Sequence, residues 1–163
     1  FYIPRDADSA FARVLFDGAL GVGDPINLWG PVGEFVLTES HRPLVFAACD
    51  TGFAPIKSLI EHALSVDASP SLSLYWLATR SDGHFQANQC RAWSEALDSF
   101  EYAAFTEIDP TAGAHQVATA VRADQFDIDC DFYLAGPRAF VTALADALLD
   151  AGVPAMQIAA EVV

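Results

Sequence analysis

The feature that most constrains the fold of this chain is a strand–turn–helix pattern at residues 43–64. An apolar run at residues 44–48 predicts a buried strand, and it ends at an Asp-Thr-Gly turn. After the turn, apolar side chains recur at helical spacing on one face, at Ile56, Leu59, Ile60, Ala63 and Leu64. The first amides of such a helix and the positive end of its dipole attract anions. We therefore expect a phosphate group above Thr51 and Gly52.

Downstream of this pattern, short apolar runs alternate with amphipathic stretches. Strands are predicted at residues 72–78, 102–105, 132–135 and 156–162, and helices at residues 86–97, 114–121 and 138–151. Strands that are joined by helices form right-handed crossovers. The alternation therefore predicts an α/β fold with a five-stranded parallel sheet flanked by helices.

The residues before this sheet are rich in turns and carry little periodic pattern. A short helix around Phe11 and a strand at residues 26–29 are the elements predicted there. A polar linker at residues 39–42 is the predicted domain boundary. The chain is accordingly divided into residues 1–39, a small β-rich lobe, and residues 40–163.

Charge and cysteine content exclude several classes of function. The net charge of −14, from 22 acidic against 8 basic residues, argues against a nucleic-acid partner, which needs a basic face. No apolar run approaches the roughly 18 residues of a membrane-spanning helix, so no membrane partner is predicted. The cysteines, Cys49, Cys90 and Cys130, share no metal-binding spacing. We therefore predict no metal site and a reducing, cytoplasmic location.

Three motifs together resemble the ferredoxin–NADP reductase-like flavin oxidoreductases. Residues 51–55, Thr-Gly-Phe-Ala-Pro, resemble the Gly-Thr-Gly-x-x-Pro turn that holds the nicotinamide dinucleotide in that family. Leu-x-Gly-Pro-x-Gly-x-Phe at residues 28–35 and Tyr-Leu-Ala-Gly-Pro at residues 133–137 resemble two further family motifs, in the family's order. The resemblance implies the strand order 3-2-1-4-5, with an NAD(P)H-binding domain at residues 40–163. It also implies that residues 1–39 are the incomplete C-terminal part of a flavin-binding barrel.

The resemblance also implies a cofactor site at the sheet edge where the strand order reverses, between the first and fourth strands. The cofactor-binding residues implied there are Thr51, Gly52, Pro55, Thr79, Arg80, Asp82, Gly136, Pro137 and Arg138. Arg80 suits phosphate oxygens, whereas Asp82 suits a ribose hydroxyl and repels a phosphate there, which slightly favours NADH over NADPH. Glu161 resembles the acid beside the flavin ring and is the candidate catalytic residue. Phe11 is retained from the family's flavin pyrophosphate turn.

The chain also departs from the family pattern. Asp50 replaces the first glycine of the dinucleotide turn, and Ala135 replaces a cysteine beside the nicotinamide. If the Asp50 carboxylate points at the pyrophosphate it repels it, and if it points away, binding survives. We expect Asp50→Gly to tighten NADH binding if the site holds a dinucleotide, because it restores the family turn and removes a like charge. The flavin turn at residues 8–12 lacks the family's two glycines and its final serine. FAD is therefore expected only where the full barrel is present.

Two functions remain open at this point. The first is an oxidoreductase component that passes hydride from NAD(P)H to FAD and electrons onward to a ferredoxin or an oxygenase. Its flavin-binding domain then lies in the same or a longer chain, and the start at Phe1 favours a fragment. The second is a non-catalytic scaffold or regulatory module that kept the fold and lost its cofactors.

Overall fold

The computed structural model describes residues 3, 5, 8–30, 33–125 and 128–163. It divides the chain into two units, Phe1–Glu34 and Phe35–Val163. Pro31, which belongs to the upstream family motif, lies outside the described residues.

The first unit has one helix among its described residues, α1 (Ala10–Phe16), and the Ser9 side chain caps it by accepting a hydrogen bond from the Ala12 amide. The strand predicted at residues 26–29 is not formed, because a strand needs a backbone partner and no described residue of this unit pairs with it. The described residues of this unit therefore do not form the predicted β-rich lobe.

The second unit is an α/β domain built on one sheet. Its elements are β1 (Leu44–Cys49), α2 (Phe53–Val66), β2 (Leu72–Ala78), α3 (Ala87–Ala96), β3 (Phe100–Thr106), α4 (Pro110–Asp124), β4 (Asp131–Gly136), α5 (Arg138–Asp150) and β5 (Ile158–Val162). The strand order is β3-β2-β1-β4-β5, and every pair is parallel. The predicted five-stranded parallel sheet and its order 3-2-1-4-5 are confirmed.

The element boundaries differ from the predicted ones where a local interaction decides them. Helix α4 begins earlier than predicted because the Asp109 side chain caps it, accepting a hydrogen bond of 2.8 Å from the Thr111 amide. Strand β3 begins at Phe100, whose ring packs edge-on against Trp93 with centroids 5.6 Å apart. Strand β5 begins later than predicted because a short 3-10 helix, Ala155–Gln157, precedes it.

Helices cover both faces of the sheet. All six residues of β1 are buried, and they alternate between two apolar cores. Val45, Ala47 and Cys49 face the core that α4 and α5 cover, whereas Leu44, Phe46 and Ala48 face the core under α2 and α3. Because β1 is buried on both faces, its sequence is a continuous apolar run. Among the described residues, none of the helices has the length and apolar character needed to span a bilayer.

The segment that leads into the sheet is fastened to it by one tyrosine. The Thr38 amide donates a hydrogen bond of 3.0 Å to the Tyr133 hydroxyl, and the two hydroxyls also lie 3.0 Å apart. Phe35 packs edge-on against the same ring, with centroids 6.0 Å apart. Residues 35–38 therefore pack as part of the second unit, upstream of the boundary predicted at residue 39.

Replacing Tyr133 by phenylalanine tests this fastening. Tyr133→Phe leaves the Thr38 amide without its acceptor and should lower the free energy of unfolding by about 1 kcal/mol. Tyr102→Phe is the matched control, because the buried Tyr102 hydroxyl has no hydrogen-bond partner in the described part of the chain. Urea unfolding should therefore find the control as stable as the parent or slightly more so. Equal losses in both variants would contradict a role for the bonds to Thr38.

Candidate functional site

The turn that follows β1 leads directly into α2. Asp50–Gly52 forms a 3-10 turn, and α2 begins at Phe53 with Pro55 in its first turn, where a missing amide is tolerated. Gly52 is the N-cap residue, and within the described ranges no side chain caps this helix end. The positive end of the α2 dipole therefore lies beyond the carboxyl end of β1.

Two glycines let this turn lie directly against the end of β4. A Cβ atom on Gly52 would lie 2.1 Å from the Ala135 carbonyl oxygen and 2.7 Å from the Gly136 Cα atom. A Cβ atom on Gly136 would lie 2.8 Å from the Cys49 Cβ atom. Because side chains do not fit at either position, both glycines are needed for packing, whatever ligand the turn binds.

A second helix amino end lies at the same edge of the sheet. Helix α5 begins at Arg138, directly after β4, with Pro137 as its N-cap residue and no side-chain cap from a described residue. The Arg138 side chain is exposed. A cation at the amino end of a helix opposes the dipole, so Arg138 adds to the positive potential there. Since β1 and β4 are neighbours, the amino ends of α2 and α5 meet where the strand order reverses.

Arg80 and Asp82 follow the end of β2, the other neighbour of β1. Their side chains are loosely paired, with Arg80 Nε 3.7 Å from Asp82 Oδ1, and the exposed fractions of 48% and 80% leave both open to solvent. The charge of Arg80 affects the Cys49 thiol at the end of β1. Burial and the Asp50 carboxylate raise the pKa of this thiol to about 12, whereas Arg80 lowers it. The ends of β1, β2 and β4 therefore place Arg80 and Arg138 at one sheet edge, together with the carboxylates of Asp50 and Asp82.

The Asp50 carboxylate is directed at the protein. It accepts a hydrogen bond of 3.0 Å from the Thr79 amide and a short one from the Thr79 hydroxyl, and the residue is only 9% exposed. These contacts engage both donors of Thr79. A direct bond between Thr79 and a cofactor stays a prediction.

The loop after β2 contains residues that the sequence reasoning missed. The Gly83 amide donates a hydrogen bond of 3.1 Å to the Arg80 carbonyl, which closes a turn at the Asp-Gly pair. His84 Nε2 lies 2.9 Å from the Trp76 carbonyl oxygen, and the Phe85 ring packs edge-on against Trp76 with centroids 5.3 Å apart. Asp-Gly is a recognised turn signal and was the one clue in the sequence to this anchored loop.

The remaining predicted residues lie in two places. Glu161 is half-buried on β5 in register with Ala135, and the Val163 amide donates a hydrogen bond of 3.1 Å to the Gly136 carbonyl. Phe11 is on α1 in the first unit, where its side chain is 44% exposed. The second unit brings to one sheet edge Thr51, Gly52, Pro55, Thr79, Arg80, Asp82, Gly136, Pro137, Arg138 and Glu161.

Two cavities lie away from this edge. One, of about 330 Å³, is lined by residues of β2, β3 and α4, including Glu101 and Asp124. The other, of about 580 Å³, lies beside the carboxyl end of α2 and includes His41 and His62. Neither cavity is lined by a predicted site residue. The candidate site is therefore defined by its backbone, helix ends and charges.

Comparison with known proteins places the chain among redox proteins. The family model described as the oxidoreductase NAD-binding domain matches residues 46–146. The reductase component of propane 2-monooxygenase from Rhodococcus jostii is 30% identical over 97% of this chain and 45% of its own length. Protein RfbI from Salmonella typhimurium is 33% identical over 60% of this chain and 29% of its own length. The chain thus spans less than half the length of either relative.

Two solved structures share the fold. The CS-b5R domains of human Ncb5or, in the NAD⁺ form, match with a TM-score of 0.78 at 17% identity, covering 95% of this chain and 46% of that one. A ferredoxin NADP⁺ reductase from Neisseria gonorrhoeae with bound FAD and NADP matches with a TM-score of 0.77 at 18% identity, covering 96% and 71%. Identities this low show the fold alone.

Substituting Gly52 tests the close approach of the turn to β4. Gly52→Ala places a methyl group against fixed backbone and should lower the free energy of unfolding by about 3 kcal/mol or more. Gly113→Ala is the control: its new Cβ would meet the buried Leu77 side chain, 2.4 Å from Cδ2, which can shift where main chain cannot, and alanine also favours the helix. Chemical unfolding should show the larger loss for Gly52→Ala. A smaller loss than in the control would contradict the packing.

Proposed function

The chain belongs to the oxidoreductase NAD-binding domain family, and we propose that it binds NAD(P)H for hydride transfer to FAD. Its resemblance to ferredoxin–NADP reductase-like flavoprotein reductases predicted this family. Electrons then pass to a redox partner such as a ferredoxin or an oxygenase. A relative that is the reductase component of a monooxygenase supports this assignment. The observation that carries it is the meeting of the amino ends of α2 and α5, which no described side chain caps, with two exposed arginines at one sheet edge.

The pyrophosphate of the dinucleotide fits the edge between β1 and β4. Backbone amides of Thr51 and Gly52 and the dipoles of α2 and α5 offer positive potential to it, and Arg138 adds a charge. Arg80 and Arg138 are two of the 8 Lys and Arg residues in a chain with a net charge of −14. Within the described residues no ion pair engages Arg138, which leaves its guanidinium free for a ligand.

The adenosine ribose is proposed to bind beside Arg80 and Asp82. The guanidinium fork suits phosphate oxygens, and the carboxylate suits the 2′-hydroxyl of NADH. Because a 2′-phosphate would lie against the Asp82 charge, NADH is proposed as the slightly preferred cofactor.

The nicotinamide end is proposed to bind at Gly136 and Pro137, with Glu161 at the neighbouring position on β5. When bound, nicotinamide supplies a hydride from its C4 carbon, and the flavin accepts it. The residues of this chain bind and orient the dinucleotide, and Glu161 contributes a carboxylate beside the reacting rings. Ala135 supplies no thiol at this edge, so alignment depends on the backbone around Gly136.

The described residues of the first unit do not carry the features of a complete FAD site. The Ser9 side chain is used to cap α1, and the family's two glycines are absent from residues 8–12. FAD is therefore proposed to bind mainly to a flavin-binding domain in the same or a longer chain, with Phe11 as a contact. The exposure of Leu28 and Trp29, 63% and 86%, suits residues that such a domain covers. The three cysteines of the chain, Cys49, Cys90 and Cys130, are buried, and the reducing cytoplasm is proposed as its location.

Titration calorimetry with NADH tests the proposed function. The parent chain should bind NADH, and Arg80→Ala should weaken binding about tenfold through loss of a charge-assisted hydrogen bond. Arg91→Ala is the matched control, because Arg91 lies on α3 and donates a hydrogen bond to Asn88. Unchanged affinity in Arg80→Ala would remove Arg80 from the site. Failure of the parent to bind NADH, with or without its flavin-binding domain, would favour the scaffold or regulatory module instead.

Cofactor choice is tested by neutralising Asp82. Asp82→Asn removes the charge that opposes a 2′-phosphate and keeps the size of the side chain. The affinity for NADPH should rise by about threefold to tenfold, with NADH affinity changing less, since an exposed charge of this kind is partly screened. Asp98→Asn provides the control for net charge, because Asp98 lies between α3 and β3. An equal change for both dinucleotides would place Asp82 away from the 2′ position.

A further inference from the structure

We propose that Asp50 is a positioning residue of the NAD(P)H site, because its carboxylate fixes Thr79 and thereby aims Arg80 at the dinucleotide. The inference rests on the proposed function and assigns a role to the residue that departs most from the family's dinucleotide turn. The charged Asp50 carboxylate then accepts hydrogen bonds from the protein itself.

The backbone at Asp50 explains which residues this position accepts. Its φ angle of +47° lies in the left-handed region, which glycine, asparagine and aspartate adopt more readily than other residues. A glycine would satisfy this requirement and do nothing more. Aspartate satisfies it and adds two acceptor oxygens.

Both the main chain and the side chain of Asp50 are bonded to the end of β2. The Trp76 indole N–H donates a hydrogen bond of 3.2 Å to the Asp50 carbonyl, while the Thr79 amide and hydroxyl donate to its carboxylate. Gly83 closes the other side of the carboxylate, since a Cβ atom there would lie 2.5 Å from Asp50 Oδ1. The carboxylate is therefore enclosed by β2 and the loop that follows it.

This arrangement determines how the chain leaves β2. Thr79 is the first residue after the strand and Arg80 is the next, so fixing the Thr79 amide sets the direction of the Arg80 backbone. The turn from Arg80 to Gly83 continues from that fixed point. An arginine presented by an ordered corner loses less conformational freedom on binding than one on a mobile loop.

Two substitutions at Asp50 separate positioning from charge. Asp50→Asn keeps the left-handed preference and an acceptor for the Thr79 amide, so NADH affinity should stay within about twofold of the parent. Asp50→Gly keeps the backbone conformation and removes the side chain. NADH affinity should then fall about tenfold, because the two hydrogen bonds that order Thr79 are lost. Calorimetry is done well below the unfolding temperature of each variant, so that every variant is folded. A purely structural residue would alter the unfolding temperature without altering the NADH affinity.

A double substitution tests whether Asp50 acts through Arg80. In an Arg80→Ala background, Asp50→Gly should cause little further loss of NADH affinity, because the side chain that Asp50 positions is already absent. Losses that add in full would overturn the proposed linkage. The NADH affinity of Thr79→Val, which removes one of the two bonds, should fall between those of the parent and Asp50→Gly, and Thr79→Ser, which keeps the hydroxyl, should recover affinity relative to Thr79→Val.

The outcomes distinguish this inference from the function on which it rests. If the parent binds NADH and Asp50→Gly binds equally well or more tightly, Asp50 is a tolerated charge and the inference alone fails. If the parent binds no NADH, the proposed function fails and the inference with it. Hydrogen exchange of the Thr79 amide in the unliganded protein adds an independent check, and faster exchange in Asp50→Gly than in Asp50→Asn is expected.

Discussion

The packing of the Asp50–Gly52 turn against the end of β4 is the contact on which the candidate site depends. Neither Gly52 nor Gly136 has room for a Cβ atom, because main-chain atoms or Cys49 would meet it. This close approach brings the carboxyl ends of β1 and β4 together and fixes where α2 and α5 begin. The positive ends of the two helix dipoles are therefore positioned by backbone packing, and the arginines add positive charge beside them.

The presence of Gly52 and Gly136 at this edge has two explanations. They are required by the fold, and a turn of this kind also approaches a pyrophosphate closely. The pattern alone therefore does not separate a working site from a vestigial one. The features that do bear on function are those that packing does not require, namely the exposed Arg80 and Arg138 and the Asp82 carboxylate.

The sheet could be predicted from sequence because burial on both faces leaves a strong signal. Strand β2 was predicted with the bounds that the structure shows, and all seven of its residues are buried. The strand order came from the family resemblance, since periodicity carries no information on which strands are neighbours. Residues 26–29 have strand-like composition and form no strand, because pairing depends on a partner that local sequence does not reveal. The contact between Asp50 and Thr79 joins residues 29 positions apart and depends on a side-chain orientation that no motif specifies.

The packing of Trp76 beneath the turn has an optical consequence. Its ring is fully buried, stacks on Phe53 with centroids 3.9 Å apart, and donates its N–H to the Asp50 carbonyl. Trp29, in contrast, is 86% exposed. Emission from these two indoles therefore differs in wavelength, with Trp76 at the blue end, and the half-buried Trp93 is the third indole of the chain. Because reduced nicotinamide absorbs where tryptophan emits, the chain contains its own fluorescent donor next to the edge where the dinucleotide is proposed to bind.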